Sequence, residues 1–202
     1  KLLTRPVVVT PLPGGREERA TAARGSLDAS SKTLRLFEGA RLESGGWACE
    51  SSGFRFTPEG EAVSEGPVNF AREGARGSAE LATYHRSRRR AILQGSVRLD
   101  GEGGRSLRCD KIDLDLESHR GSLEGPLTFA DPEGALTSPR GTLALTPDNE
   151  LETVELLAPV RGEGPRGTLS ARSLVLEANA SGAVRRYRLR GGVRLTTTPP
   201  EP

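Results

Sequence analysis

Residues 107–129 read LRCDKIDLDLESHRGSLEGPLTF, and this stretch decides the fold class of the chain. Its first part, IDLDL at 112–116, alternates aliphatic with acidic side chains. Alternation with a period of two is typical of a β-strand that has one buried and one solvated face. The polar letters ESHRGS interrupt the pattern, and a second alternating run begins at Leu123. The stretch therefore predicts a β-hairpin.

The hairpin recurs along the chain. A short motif, in which Gly or Pro precedes an alternating apolar run, marks the copies: EGARLES near Gly39, EGPVNFA ending at Ala71, QGSVRLD ending at Asp100, EGPLTFA ending at Ala130, LAPVRGE ending at Glu163 and RGGVRLT ending at Thr196. The copies that begin at Gly66, Gly95 and Gly125 are 29 and 30 residues apart. One hairpin cannot bury its apolar face alone, so the copies must stack. We therefore predict an all-β, antiparallel fold of a dozen or more strands, built from hairpins of about 30 residues.

Three strands also change the parity of their apolar positions. Odd positions give way to even ones at the same place in each copy: Trp47 and Cys49 before Phe54 and Phe56, Leu107 and Cys109 before Ile112, Leu114 and Leu116, and Leu169 and Ala171 before Leu174 and Leu176. A one-residue slip would turn the rest of a strand's side chains to the wrong face. A bulge or a bend restores the facing, and we predict one in each of these strands.

The ends of the chain differ from the repeats. Residues 6–11 predict one extended strand between two prolines, and residues 15–24 (GREERATAAR) are the only passage with a helix-forming composition. We expect at most one short helix there. The predicted organisation is an N-terminal extension or linker over 1–22, a single repetitive domain over 23–195, and a disordered tail over 196–202.

Composition excludes several classes of function. The chain has 29 Lys and Arg against 27 Asp and Glu. Its near-balanced charge does not create the strong positive electrostatic potential that attracts nucleic acid. No run of about 18 apolar residues is present that could span a membrane as a helix. Cys49 and Cys109 form no CxxC pair and lie far from both histidines, so the sequence predicts two unbonded core thiols, no metal site and no cofactor.

The sequence contains no recognisable catalytic constellation. A G-x-S-x-G elbow is absent, and His85 and His119 fall in predicted hairpin turns. Asp113, Asp115 and Glu117 lie on the polar face of one strand, which explains them without a bound cation. We therefore predict that the protein is not an enzyme.

The hairpin resembles the repeated unit of the periplasmic lipopolysaccharide-export proteins of the LptA/LptC (OstA-like) family. Members repeat the pattern x-A-D-x-L-x-Y-D, a turn, and G-x-V-x-L-x-G-x-V-x-L. The nearest copies here are residues 107–129 and SAELATYHRSRRRAILQGSVRL at 78–99. The likeness covers residues 23–195, with the family's Tyr-Asp pair replaced by Leu116-Glu117 in one copy and Tyr84-His85 in the other.

The resemblance implies a fold and a function. The implied fold is an antiparallel β-jellyroll shaped like a taco, whose two sheets leave an open hydrophobic groove for acyl chains. The implied role is a periplasmic carrier or bridge for lipopolysaccharide or a similar glycolipid. It is LptC-like more than LptA-like, because the repeats begin after a short N-terminal stretch. The implied partners are other β-jellyroll export proteins, joined through edge strands at the domain ends, and an inner-membrane ABC transporter complex. A tether to that membrane would come from a segment outside this chain.

The alternating apolar positions are the candidate lining of the groove and should share one interior face: Phe54, Phe56, Val68, Phe70, Val97, Leu99, Ile112, Leu114, Leu116, Leu127, Phe129, Leu174, Leu176, Leu189, Val193 and Leu195. Their neighbours should face water: Arg98, Asp113, Asp115, Thr128, Arg188 and Arg194. The densest positive charge comprises Arg86, Arg88, Arg89 and Arg90. It is either a solvated turn or a set of phosphate contacts, since arginine binds phosphate through two hydrogen bonds.

Two other classes of function fit the same residues. The first is a structural β-repeat scaffold, whose apolar face is its own filled core and which carries no lipid. The second is a carbohydrate-binding β-sandwich, which would need exposed aromatic platforms, and Trp47 alone supplies few. A filled interior favours the scaffold, whereas a cleft favours the carrier.

Overall fold

The computed structural model describes residues 1–11, 17–44, 46–147, 150–165, 167–178 and 184–197. Within these ranges the regular structure is β-strand, apart from one 3-10 turn at Glu102–Gly104. The predicted all-β, antiparallel class is confirmed. The strands are β1 (Leu2–Thr4), β2 (Val7–Pro11), β3 (Glu17–Thr21), β4 (Arg24–Asp28), β5 (Thr33–Ser44), β6 (Trp47–Phe56), β7 (Glu61–Ser64), β8 (Val68–Arg72), β9 (Ala75–Ala79), β10 (Leu81–His85), β11 (Arg90–Gly101), β12 (Ser106–Asp115), β13 (Arg120–Asp131), β14 (Gly134–Leu145), β15 (Leu151–Gly164), β16 (Gly167–Ala178), β17 (Val184–Arg190) and β18 (Arg194–Thr197).

The chain forms two compact units, Lys1–Gly95 and Ser96–Pro202, and β11 runs from one into the other. The N-terminal unit includes the first three strands, because β1 pairs with β4, and β3 pairs with both β2 and β5. Residues 1–22 therefore supply strands to this unit, whereas the sequence predicts a linker there and one domain over 23–195. Thr196 and Thr197 belong to β18, and the remainder of the predicted tail lies outside the described residues.

Strand pairings in the N-terminal unit fall into two groups, on either side of a break in the long strands β5 and β6. Layer A contains β2, β3, residues 40–44 of β5, residues 47–51 of β6, β8 and β9. Layer B contains β1, β4, residues 33–37 of β5, residues 53–56 of β6, β7, β10 and the start of β11.

The C-terminal unit repeats this arrangement with five long strands, β12 to β16. Layer A of this unit contains residues 106–108, 127–131, 134–138, 160–164 and 167–171 of these strands, together with β18. Layer B contains residues 111–115, 120–124, 140–145, 151–157 and 173–178, together with β17.

Each predicted parity change coincides with an irregularity in the pairing register, although the extra residue belongs to the partner strand, β5, β13 or β15, and not to β6, β12 or β16. In β5 the pairing register shifts between Phe37 and Ala40, opposite residues 51–53 of β6. It also shifts between residues 108 and 111 of β12, and between residues 157 and 160 of β15, opposite residues 171–173 of β16. Inward positions change parity at the same points. Cys109 and Ile112 are both buried, and so are Ala171 and Leu174. Each long strand therefore keeps its apolar face inward on both sides of the bend.

The repeated sequence motif coincides with the bends of the long strands. Its glycines have φ angles from +76° to +134° at Gly39, Gly66, Gly95 and Gly125. Glycine adopts such angles without steric cost, because it has no Cβ. A Cβ at Gly95 or Gly125 would also overlap the carboxyl group of Glu80 or Asp110, which lies over that glycine. The motif recurs in the sequence because the same bend recurs in the fold.

The helix-forming composition of residues 15–24 does not produce an α-helix in the described part of that passage. Glu17–Thr21 forms β3, and residues 15 and 16 lie outside the described residues. Glu18 and Ala20 are buried while their neighbours Glu17 and Arg19 are exposed, which is the alternation of a strand. A helix this short is marginal in water, whereas β3 has strand partners on both sides. The predicted strand over 6–11 is present as β2.

The inner faces of the two layers meet within each unit. In the C-terminal unit, a Cβ added at Gly141 in layer B would lie 3.0 Å from Leu127 Cδ1 in layer A. The residues predicted to face water are exposed at Arg98, Asp115, Arg188 and Arg194, and Thr128 is half-buried. The exception is Asp113, whose side chain is only 11% exposed. Asp113 on β12 pairs with Ser122 on the neighbouring strand β13, and its carboxylate is 3.8 Å from Lys111 Nζ.

Candidate functional site

The inward apolar side chains differ in burial, both near the bends and away from them. Nine of the sixteen predicted lining residues are enclosed by protein: Phe54, Val68, Phe70, Val97, Ile112, Leu127, Phe129, Leu174 and Leu176. Leu127, for example, is 1% exposed. These predicted lining residues form a packed core in each unit, so the space between the layers is filled at the bends.

Other inward side chains are only half-buried. The predicted lining residues of this kind are Phe56, Leu99, Leu114, Leu116 and Leu189. We call the side of each unit away from the bends the mouth. Phe56, Leu99, Leu114 and Leu116 lie there, whereas Leu189 pairs with the buried Leu174 near the bend, on strand β17, which pairs only with β16 in the described part of the chain.

The structure adds mouth residues that the sequence reasoning missed. Leu42, Tyr84 and Leu136 are half-buried at equivalent inward positions. Extending the alternation of each strand by one step would have identified Leu42, which follows the buried Ala40 by two residues. Trp47 is half-buried with its ring centroid 6.0 Å from that of Phe70, so it offers no exposed platform for a sugar.

The last two predicted lining residues lie at the edge of the C-terminal unit. Val193 is exposed, and Leu195, on β18, is 66% exposed. In the described part of the chain, β18 pairs with β16 alone, so no strand covers its other side. Large exposed apolar side chains also occur on the N-terminal edge strands, at Leu2, Val7 and Val9. Both ends of the chain thus carry apolar edge strands.

The arginine cluster follows β10 in the turn before β11, and its members have different surroundings. Arg88, Arg89 and Arg90 are exposed. Arg86 instead donates a hydrogen bond through Nη2 to Glu18 Oε2 and forms an ion pair with it. The predicted phosphate contact at Arg86 is therefore replaced by an internal partner, which the sequence did not reveal because the two residues are 68 positions apart.

This ion pair connects the two layers of the N-terminal unit. Glu18 lies on β3 in layer A, and Arg86 directly follows β10 in layer B. A cavity of about 50 Å³ beside the pair is lined by residues of both layers, among them Leu42, Phe56 and Tyr84. Burial, together with the charge of Glu18, raises the pKa of Tyr84.

A second polar contact joins the layers of the C-terminal unit. Tyr187 lies on β17 in layer B, and its hydroxyl donates a hydrogen bond of 2.7 Å to Asp131 Oδ2 at the end of β13 in layer A. Partial burial and this carboxylate raise the pKa of Tyr187 to about 12. The phenol is therefore neutral, and a donor, throughout the physiological pH range.

A shallow depression of about 400 Å³ lies on layer A of the C-terminal unit. Most of its lining alternates with the inward Leu136 and Leu169 and so belongs to the outward face: Thr137, Arg161, Glu163, Thr168, Ser170 and Arg194. This polar surface is distinct from the predicted apolar groove.

Both cysteines carry free thiols, as predicted. Burial raises the pKa of Cys49 and of Cys109 from 9.0 to about 11. Only the thiolate reacts, and a pKa two units higher lowers its fraction about 100-fold near neutral pH. We expect slow alkylation by iodoacetamide at pH 7, with a rate that rises up to about pH 11, and rapid alkylation in urea. Rapid labelling of the folded protein at pH 7, or a disulfide-linked peptide in its mass spectrum, would contradict this.

Among the described residues, the structure contains no helix with the length and apolarity needed to cross a bilayer. In the same ranges, no three His, Cys, Asp or Glu side chains cluster as a metal site would require.

The geometry defines an all-β protein of stacked, bent hairpins, with an apolar space between two layers in each unit. No protein-family model matches the sequence, and no curated protein matches it. Among solved structures, the chain is similar to LptH of Pseudomonas aeruginosa, described as the LptA-homologous periplasmic component of the conserved lipopolysaccharide transport device. The two are 16% identical with a TM-score of 0.42, and the similarity covers 48% of this chain and 75% of that chain.

Proposed function

We propose that the protein is a non-catalytic carrier that covers the acyl chains of a glycolipid between the two layers of its units. The supporting observation is that part of the apolar inner face is not covered by protein. The bends are sealed by a packed core, while inward apolar side chains such as Leu114 at the mouth and Leu189 on β17 remain half-buried. Each CH₂ that leaves water for such a surface gains about 0.8 kcal/mol, so a lipid with several acyl chains gains most from this position.

The finer parts of the proposal rest on the resemblance of the sequence motif. We extend it to lipopolysaccharide as the cargo, the periplasm as the location, and a role closer to LptC than to LptA. An inner-membrane ABC transporter complex is then the proposed source of the lipid. The three exposed residues of the arginine cluster, Arg88, Arg89 and Arg90, remain candidate contacts for its phosphate groups.

Photo-crosslinking tests the cleft directly. We expect a photo-crosslinking residue at Leu114 or Leu189 to capture lipopolysaccharide, because both side chains are half-buried on the inner face of the C-terminal unit. The matched controls are their outward neighbours Asp115 and Arg188, which should capture little. Equal capture at inward and outward sites, or capture at neither, would contradict the carrier proposal.

The edge strands suggest how copies or partners join. β2 pairs only with β3 in the described part of the chain, and it carries the exposed Val7 and Val9. An uncovered apolar edge is a site for strand addition. We propose that such strands connect this protein to other β-jellyroll export proteins, or to a second copy of itself.

We expect the double substitution Val7→Lys and Val9→Lys to abolish concentration-dependent association of the chain in sedimentation velocity. Lysines on an edge strand oppose pairing with another strand. Leu27→Lys is the control, because Leu27 is exposed but its strand β4 has partners on both sides. Association that is absent from the parent, or is lost equally in Leu27→Lys, would overturn the proposal.

The packed core also supports a second candidate, a scaffold without cargo. Leu36 and Leu156 are wholly enclosed in the two units, as in any filled β protein. The scaffold predicts no lipid capture at the mouth, so the same crosslinking experiment separates the two functions.

A further inference from the structure

The ion pair between Glu18 and Arg86 lies at the mouth of the N-terminal unit. Arg19 pairs with Glu43, so Glu18 is level with Ser44, the last residue of β5 and the end of layer A away from the bend. His85 pairs with Glu61, the first residue of β7, so Arg86 lies beyond the corresponding end of layer B. The pair therefore spans the two layers where the space between them would open.

Different contacts hold the backbones of Arg86 and Glu18 in place. The Arg86 backbone is fixed, because its N–H donates to the Gly60 carbonyl at 2.9 Å and its own carbonyl accepts from Arg89 N–H at 3.1 Å. Glu18 is on a strand paired on both sides and is 4% exposed. The contact is thus a defined link between two rigid elements.

Because Glu18 is buried, its carboxylate needs the ion pair with Arg86 only while the two layers are closed. A carboxylate enclosed beside Leu42 and Phe56 requires its cationic partner while the layers are closed. The Arg86 side chain is 38% exposed, so it can return to water if the layers separate. Its Nε is buried without a partner among the described residues, so part of the guanidinium gains hydration on opening.

We propose that the Glu18–Arg86 pair is a latch that controls access of acyl chains to the N-terminal unit. This inference rests on the proposed carrier function and adds its point of control. The latch keeps the mouth shut over Phe56 and Leu42 when no lipid is present. An acyl chain reaches these side chains only when the pair opens.

A reversible lock tests the latch. Glu18→Cys and Arg86→Cys, placed in a Cys49→Ala, Cys109→Ala background, are joined by a short bis-methanethiosulfonate reagent that a reductant removes. A photo-crosslinking residue at Phe56 reports lipopolysaccharide in the N-terminal unit, and one at Leu189 reports it in the C-terminal unit. We expect locking to reduce capture at Phe56 at least tenfold, reductant to restore it, and capture at Leu189 to be unchanged.

The matched control lock joins cysteines at Arg35 and Glu65. This pair has the same chemistry, with Arg35 Nε 2.9 Å from Glu65 Oε1, but both residues belong to the layer B side of the unit. Locking it should leave capture at both reporters unchanged.

A second variant, which has no introduced cysteines, tests the latch independently of the lock. Arg86→Gln should raise the initial rate of capture at Phe56 several-fold, and Arg35→Gln should not. Undiminished capture at Phe56 in the locked protein, or an unchanged rate in Arg86→Gln, would overturn the latch while leaving the carrier intact. No capture at either reporter in the unlocked protein would overturn both.

Discussion

Leu127→Arg is expected to unfold the C-terminal unit. Leu127 is 1% exposed and lies directly after the bend at Gly125, facing Gly141 of the opposite layer. An arginine there has no path to water along its own stem, so the substitution buries an unpaired charge. We expect a loss of about 4 kcal/mol or more in the free energy of unfolding, measured by urea titration with far-UV circular dichroism.

The control for this prediction is Leu195→Arg, at an inward-parity position that is 66% exposed. It should change the free energy of unfolding by no more than about 0.5 kcal/mol. A Leu127→Arg protein that unfolds like the parent would mean that the cleft extends to the bend. The packing found here places the cleft at the mouth instead. A charge that probes lipid binding without damaging the core therefore belongs at Leu114, where arginine can reach water along its stem.

Gly125→Ala is expected to lower the free energy of unfolding by about 2–4 kcal/mol. Gly125 has a φ of +90°, where a residue with a Cβ is strained. The new Cβ would also overlap the side chain of Asp110, including its Cβ, so rotation of the carboxylate alone cannot relieve the contact. Because the same glycine recurs at other bends, this result would apply to the repeat and not to one site.

Gly101→Ala is the matched control for the bend. Gly101 has an extended backbone with φ of −110°, and a Cβ there would meet nothing within 4 Å. Its free energy of unfolding should change by no more than about 0.5 kcal/mol. If the two alanine variants were equally stable, the bend would not depend on the glycine.

Opening of the mouth connects these predictions to the proposed function. Variants at the bend change the stability of a unit, because the bend is packed. Variants of the Glu18–Arg86 pair change access to the cleft, because that pair lies where the layers separate. Comparing urea titrations with lipid capture on the same proteins would separate the two effects.

The sequence by itself determined the class of fold, the repeat and the bends. Each depends on local information: alternation such as IDLDL at 112–116, a glycine at each bend, and the parity change between Cys109 and Ile112. Backbone geometry converts such patterns directly into strands and bulges, with no need to know which strand lies beside which.

Only the tertiary structure decided the rest. Residues 17–21 have helix-forming composition but became β3, because strands on both sides supply hydrogen bonds that a short helix would lack in water. The division of the predicted lining into a packed core and a half-exposed mouth depends on what the opposite layer covers. The pairing of Glu18 with Arg86 depends on contact between residues 68 positions apart. Alternation fixes which face a side chain is on, whereas burial and pairing depend on neighbours that only the folded chain brings together.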